Sequence, residues 1–434
     1  MSRAGKHSIK MESVDRKGII AVIPAMLFCA VPLMILVLDI LMPSMSDLQY
    51  RIYPVAIRIV SLISIICMAA CLSMDIDRGS IHIDFKDICF TLFTVCIIIS
   101  TFVNGFSHDA VFSVPYRYVG VFDLFIYIYI YMYCSGSIGS ERLKKTFFLC
   151  LMLVSDLIAA AFFYDHFIGK IPAFNDKLEP SAIFFHGNHY GYFLVIVIAV
   201  AAGCYCFSRG VMTAAGGLSL LAGLAALAMN RSMGCILAAG ATLVVICITS
   251  VIHGGSHRKK AMVMAACIAA VSACMLILSS QLRADIAQTI GEFTQIISGD
   301  NNIHAGNGRW GIWQYVAGYI ADHPWWGYGC EGIAELMKDY TLTTNPHNEP
   351  LTYAAFFGIP AATFYCAGVL TSFIKGIRTK GGCSTCLIAS FSVMAYFLSS
   401  LFGVAMFYTA PYLFVLIGMA SEGRTGIHQA APDV

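Results

Sequence analysis

Between Glu179 and Arg258 only two residues, Arg209 and Arg231, carry a formal charge. A helix of about 20 apolar residues crosses the hydrocarbon core of a bilayer. This stretch therefore has room for three crossings, with the two arginines at the turns between them. No water-soluble domain can be built this way. A soluble fold has roughly a quarter of its residues charged, whereas this chain has 12% charged and 58% hydrophobic. The class that remains is an all-α polytopic membrane protein, because in lipid each backbone N–H and C=O has to be satisfied within its own segment.

Twelve apolar runs follow along the 434 residues: about 18–42, 53–74, 88–103, 116–135, 146–164, 188–208, 211–229, 232–252, 261–280, 351–374, 385–401 and 404–421. Lys and Arg concentrate on the cytoplasmic side of membrane proteins. With the N-terminus placed inside, 18 of the 27 basic residues fall in inside segments and eight outside, with Arg58 within a span. Both termini are then expected in the cytoplasm. The basic start followed by a long apolar run, with no small-residue cleavage site, is expected to be a retained signal anchor. A formal net charge of +2 argues against nucleic acid as a partner.

The runs divide the chain into N-terminal membrane helices (1–180), central membrane helices (181–280), an extracytoplasmic loop (281–350) and C-terminal membrane helices (351–434). The loop has internal order. Ile286, Ile290, Phe293 and Ile297 recur at helical spacing, as do Trp310, Trp313, Ala317 and Ile320, and then Ile333, Leu336, Met337 and Tyr340. Three amphipathic helices, broken at 299–308 and 323–329, are expected on the outer surface. A long loop with structure of its own is usually functional.

Most of the 17 cysteines fall inside the runs, where Cys behaves as a small hydrophobe. Cys383 and Cys386 form a lone CxxC without the second pair a zinc site needs. Asp75-Ile76-Asp77 has the form of a metal-binding acidic pair but stands isolated on the cytoplasmic side. No P-loop, nucleophile elbow or HExxH is present.

The polar residues that stand out share the outer face. Arg231, in Asn230-Arg231-Ser232, sits between two spans. An arginine at mid-membrane costs about 2.5–3.5 kcal/mol on insertion scales, so one this close to the hydrocarbon is usually paired or lines a polar cavity. Arg309 follows a Gly306-Asn307-Gly308 turn and opens the Trp-rich segment that begins with Trp310; these tryptophans suit an interfacial belt or a platform for a sugar or prenyl chain. His347 precedes the tenth run, where Asn348 reads as an N-cap with Pro350 in the first turn. The positive end of that helix and the two arginines would keep the imidazole neutral and able to act as a base. Phe185 through Gly191, with Asn188, opens the sixth run as a ligand site or a helix cap.

In combination these pieces resemble the bacterial O-antigen ligases and their polymerase relatives, most strongly over 181–375. Asn230-Arg231-Ser232 with Gly234 resembles the family's arginine motif. Gly308-Arg309-Trp310, His323-Pro324 and Gly327-Tyr328-Gly329 resemble the run that opens its conserved loop. His347-Asn348, nine residues and Gly358 fit the ligase-type pattern, and Phe185–Gly191 is similar to the family's Asn-containing entry to a middle span.

The resemblance implies a GT-C-like membrane glycosyltransferase of the bacterial inner membrane with its active site on the outer face. The donor would be a glycan on undecaprenyl pyrophosphate. The acceptor would be a sugar hydroxyl of a glycolipid or glycan: lipid A core for a ligase, another lipid-linked repeat unit for a polymerase. Arg231 and Arg309 would hold the pyrophosphate and His347 would deprotonate the acceptor. Asn188, Asn348, Glu349, Arg117 and Trp310 are the further substrate-binding candidates, with Glu349 a competing base or an orienting group. No cofactor or metal is implied, because guanidinium forks match phosphate oxygens and stay charged. Readings of another class are a twelve-span transporter and a non-catalytic partner in glycan export. The single main loop and the lack of an internal repeat speak against the transporter.

Overall fold

The structure is a computed structural model that describes residues 3–42, 48–78, 83–112, 120–171, 174, 180–300, 302–338, 345–378 and 383–421. The chain runs through α1 (Arg3–Leu41), α2 (Leu48–Arg78), α3 (Phe85–Asn104), α4 (His108–Phe112), α5 (Val121–Gly136) and α6 (Glu141–Phe167). The central helices are α7 (Gly187–Phe207), α8 (Val211–Asn230), α9 (Met233–His253) and α10 (Gly255–Leu278). The loop follows as α11 (Ser280–Ile297), α12 (Arg309–Asp322) and α13 (Ala334–Lys338), and the chain ends with α14 (Glu349–Phe357), α15 (Ile359–Arg378), α16 (Ser384–Ser400) and α17 (Ala410–Met419).

Each expected run overlaps a helix within the described residues, but the runs are not equivalent. Among the described residues, eight helices are long and apolar enough to cross a membrane: most of α1 and α2, all of α3, and α6 to α10. Three more runs, on α5, α16 and α17, are shorter. The expected tenth run is split at Gly358 into α14 and α15. This is an all-α polytopic membrane protein.

α7 is the axis of the bundle. Its crossing window is 94% buried, against 11% for α10. A helix apolar all round belongs inside other helices, and α7 has no charged residue to turn outward. It packs closely on α8 because two glycines leave room. A Cβ on Gly216 would lie 2.6 Å from the Ala201 carbonyl oxygen, and one on Gly223 3.0 Å from Ile198. Helices in lipid associate through such close backbone approach rather than through a hydrophobic drive. Two acids within the bundle are bonded between helices. Asp75 pairs with Lys17 and accepts from Tyr133 Oη at 2.7 Å, and Asp156 accepts from Ser219 Oγ at 2.6 Å. The Asp75 pairing gives the isolated acidic motif a structural explanation.

The loop breaks between helices where the periodicity predicts. α11 shows two faces. Ile290, Phe293 and Ile297 are exposed, while Asp285, Gln288, Thr289 and Glu292, at i, i+3, i+4 and i+7, line a cavity.

The break at Gly358 has a physical cause. Gly358 has φ 91°, and the segment after α12 lies directly against it. Tyr328 N–H donates to the Ala355 carbonyl at 3.0 Å, Gly329 N–H to Phe356 at 2.8 Å, and Ile359 N–H to Pro324 at 2.8 Å. The first two bonds satisfy carbonyls at the end of α14 that its own helix leaves open, and the third ties the start of α15 back to the loop. The His323-Pro324 and Gly327-Tyr328-Gly329 motifs are thus a backbone clamp joining the loop to the membrane bundle.

Candidate functional site

At the end of the bundle formed by the α8–α9 turn and the start of α7 lies a cavity of about 550 Å³. Pockets for small ligands run from about 300 to 1,000 Å³. Its lining includes Asn188, Arg231, Asp285, Glu292, Arg309 and His347. The three residues singled out for catalysis, from the α8–α9 turn, the start of α12 and the turn before α14, meet here.

Each is held by its own local device. Arg231 is the C-cap of α8 with φ 59°, a left-handed position that normally takes Gly or Asn. Asn230 fixes this turn by donating Nδ2 to the carbonyls of Pro180 at 2.7 Å and Gly187 at 2.9 Å. Ser232 Oγ donates to Asn188 Oδ1 at 2.8 Å, joining the turn to the start of α7. Gly234 leaves space for Phe402, whose Cβ would lie 2.7 Å from a Cβ added there.

Arg309 begins α12 after three consecutive left-handed residues, Gly306, Asn307 and Gly308. Glu292 ties that turn to α11 by accepting from Gly306 N–H at 2.8 Å. His347 is itself left-handed at φ 54°. Its N–H donates to Asn345 Oδ1 at 3.0 Å, and Trp313 Nε1 donates to the neighbouring Pro346 carbonyl at 2.9 Å. Of the five non-glycine residues with positive φ in the described chain, Arg231, Asn307 and His347 line this one cavity. Non-glycine residues held in that region cost of order 1–3 kcal/mol each and cluster at ligand sites.

The cavity carries charge of both signs. Arg231 Nε lies 3.2 Å from Asp285 Oδ2, with both side chains about a third exposed. Arg309 Nε is buried and makes no hydrogen bond within the described protein. A guanidinium with a donor to spare and another paired, among the described residues, with a partly exposed acid form a ready site for an anion. Among the described residues, no three His, Cys, Asp or Glu side chains gather in a way that would hold a metal.

Other expected residues fall elsewhere. Asn188 lines the cavity. Asn348 is outside the lining and caps α14, its Oδ1 accepting from Leu351 N–H at 3.0 Å. Trp310 is half-buried and also outside the lining; Trp313 is the tryptophan that braces the site. Glu349 is displaced from the cavity into a buried cage, where Oε1 accepts from Tyr353 at 2.9 Å and Tyr365 at 3.0 Å. A carboxylate buried to 1% exposure is held there by those hydroxyls and does not reach the ligand space. Arg117 lies outside the described residues. The sequence reading missed Asp285, Gln288, Thr289 and Glu292, although their helical spacing, opposite the apolar stripe of α11, was visible.

Residues 194–366 match a family model described as O-antigen ligase. That stretch is similar to the O-antigen ligases. It contains Arg231, Arg309 and His347 and the whole of the loop clamp. The O-antigen ligase family acts on lipid-linked glycans at membranes and implies a glycosyltransferase-like activity. No individual curated protein matches the chain.

Proposed function

We propose that the protein is an inverting membrane glycosyltransferase of O-antigen ligase type, moving a glycan from undecaprenyl pyrophosphate to a sugar hydroxyl. The observation that carries this reading is the meeting of Arg231, Arg309 and His347 in one cavity. His347 takes the proton of the acceptor hydroxyl, whose oxygen attacks the anomeric carbon. The bond from that carbon to the pyrophosphate oxygen breaks on the opposite face, inverting the centre. The negative charge that develops on the leaving pyrophosphate is met by the Arg231 and Arg309 guanidiniums. Charged donors placed where charge develops are a large part of many catalytic accelerations, and no metal is required for this one. In this reading the cavity faces the outside of the inner membrane, and both termini face the cytoplasm.

The test is transfer by the purified protein in lipid with undecaprenyl-pyrophosphate oligosaccharide and EDTA, with and without lipid A core. An acceptor-dependent single shift supports ligation. A ladder without added acceptor makes the protein a polymerase with the same site. Absence of any product from folded protein would overturn the reading.

Asp285 has a role of its own in this mechanism. It neutralises Arg231 at rest and has to yield when pyrophosphate arrives. A partly exposed pair of this kind holds about 0.2–1 kcal/mol. Asp285→Asn is therefore expected to lower the donor KM, by up to about fivefold, with little change in kcat. A raised KM would show instead that Asp285 aims Arg231 at the donor.

A further inference from the structure

A second cavity, of about 770 Å³, lies at the other end of the α7–α8 hairpin and is lined by Tyr205, Ser208, Arg209, Gly217, His257 and Lys260 among others. The 20 residues of α8 rise about 30 Å, so the two cavities face opposite sides of the membrane. We propose that this second cavity binds the phosphate of an anionic phospholipid from the leaflet opposite the Arg231 site, with phosphatidylglycerol the simplest such lipid.

Its chemistry is that of an anion site. Arg209 and Lys260 both line it, and no acid does. Lys260 Nζ is held by neutral acceptors, the Ser208 carbonyl at 2.7 Å and Thr213 Oγ1 at 3.1 Å. α8 and α10 both begin at this cavity, through Gly210, Thr213, Ser256 and His257, and neither has a side-chain N-cap. Their leading N–H groups and partial positive charge favour a phosphate. Independently, Ser208 is 93% buried, and its Oγ has no hydrogen-bond partner in the described protein although it borders the cavity. A buried hydroxyl is seldom left unpaired without a ligand or water to complete it.

The walls decide between a lipid and a free anion. Ala214, Gly217 and Leu218 continue from the charged rim along α8 beside Tyr205. Leu218 is 67% exposed on a membrane-crossing helix, so the groove opens to acyl chains. Basic pockets between membrane helices recognise anionic headgroups in this way. His257 stacks on Phe207 with ring centroids 5.2 Å apart, and its Nδ1 lies 2.9 Å from the Cys206 carbonyl, so the imidazole is fixed at the rim. This proposal stands independently of the transfer reaction.

The experiment is native mass spectrometry of the delipidated full chain with phosphatidylglycerol or phosphatidylcholine. Selective retention of phosphatidylglycerol is expected, and equal retention of both lipids overturns the proposal. Each neutralised cation should weaken binding about fivefold, or about 1 kcal/mol, so Arg209→Gln with Lys260→Gln should largely remove the selectivity. Undiminished selectivity in that double variant overturns the assignment. Gly217→Leu leaves the cations and fills the groove, so it should also lower phosphatidylglycerol retention. If that variant binds as the parent does, or if excess inorganic phosphate displaces the lipid from the parent, the cavity takes a free anion and the lipid proposal fails. Circular dichroism and gel filtration of each variant separate loss of binding from loss of fold.

Discussion

His347→Ala, in protein that still folds and inserts, is expected to lower kcat for glycan transfer by about 10²–10⁴-fold, the usual contribution of a positioned general base, and to leave donor binding nearly unchanged. The expectation follows from where the side chain is held. His347 contributes no helix turn of its own. It stands on a left-handed residue between Pro346, clamped by Trp313 Nε1, and Asn348, which caps α14. Removing the imidazole leaves the bonds from the His347 N–H to Asn345 and from Trp313 Nε1 to Pro346 in place. Alanine at a left-handed position is strained as histidine is, so the fold is not the variable under test. The control is Glu349→Gln. Glu349 is the adjacent carboxylate and the competing candidate for the base, but its contacts are Tyr353 and Tyr365 rather than the ligand space. Single-turnover rates with the lipid-linked donor separate the two. If Glu349→Gln abolishes transfer and His347→Ala does not, the base has been misassigned.

That contrast shows what the sequence can and cannot disclose. The membrane class was legible because charge is nearly absent between Glu179 and Arg258, and such a stretch has few places to go other than lipid. The breaks around α12 were legible because glycines fall where helical periodicity stops. Arg231 stood out because a lone charge between two apolar runs is costly unless it is used. Glu349 falls outside the cavity lining, since adjacency in sequence says nothing about direction. Asn348 turns its side chain back to cap the helix, and one residue further Glu349 points into the bundle, where Tyr365 meets it from α15. Asp285 and Glu292 were overlooked because the apolar residues of α11 drew the reading to its outer face. The polar stripe opposite them became meaningful only once α11 was seen to close over the α8–α9 turn.

The arrangement divides labour between rigid and strained parts. α7 and α8 form a close-packed shaft, with glycine contacts that fix the level of Arg231. The loop helices bring Arg309 and the acids of α11 over it from the side. Neither half is a site alone. The cavity therefore depends on how firmly the loop is joined to the bundle, through buried loop side chains such as Val316 and Ile333 and through the backbone clamp at Gly358.

Gly358→Ala tests the joint and is expected to destabilise the protein severely. Two penalties act together. At φ 91° an alanine is strained by more than about 1 kcal/mol relative to glycine. Its Cβ would also run into the Trp325 carbonyl, with Trp326 N 2.9 Å away. These are backbone atoms bound into the clamp, so they cannot swing aside as the end of a flexible side chain would. Either the Ile359-to-Pro324 hydrogen bond breaks or the Trp325–Gly329 segment lifts from α14, and the Arg309 and His347 supports lose their common frame. Gly105→Ala supplies the comparison. Gly105 has a similar φ of 87°, but a Cβ there meets nothing within 4 Å, so only the backbone penalty remains. Thermal unfolding in detergent should show a much larger loss for Gly358→Ala than for Gly105→Ala, accompanied by new protease cleavage within 324–329. Equal losses for the two variants would mean that the clamp is not what holds the loop to the membrane helices.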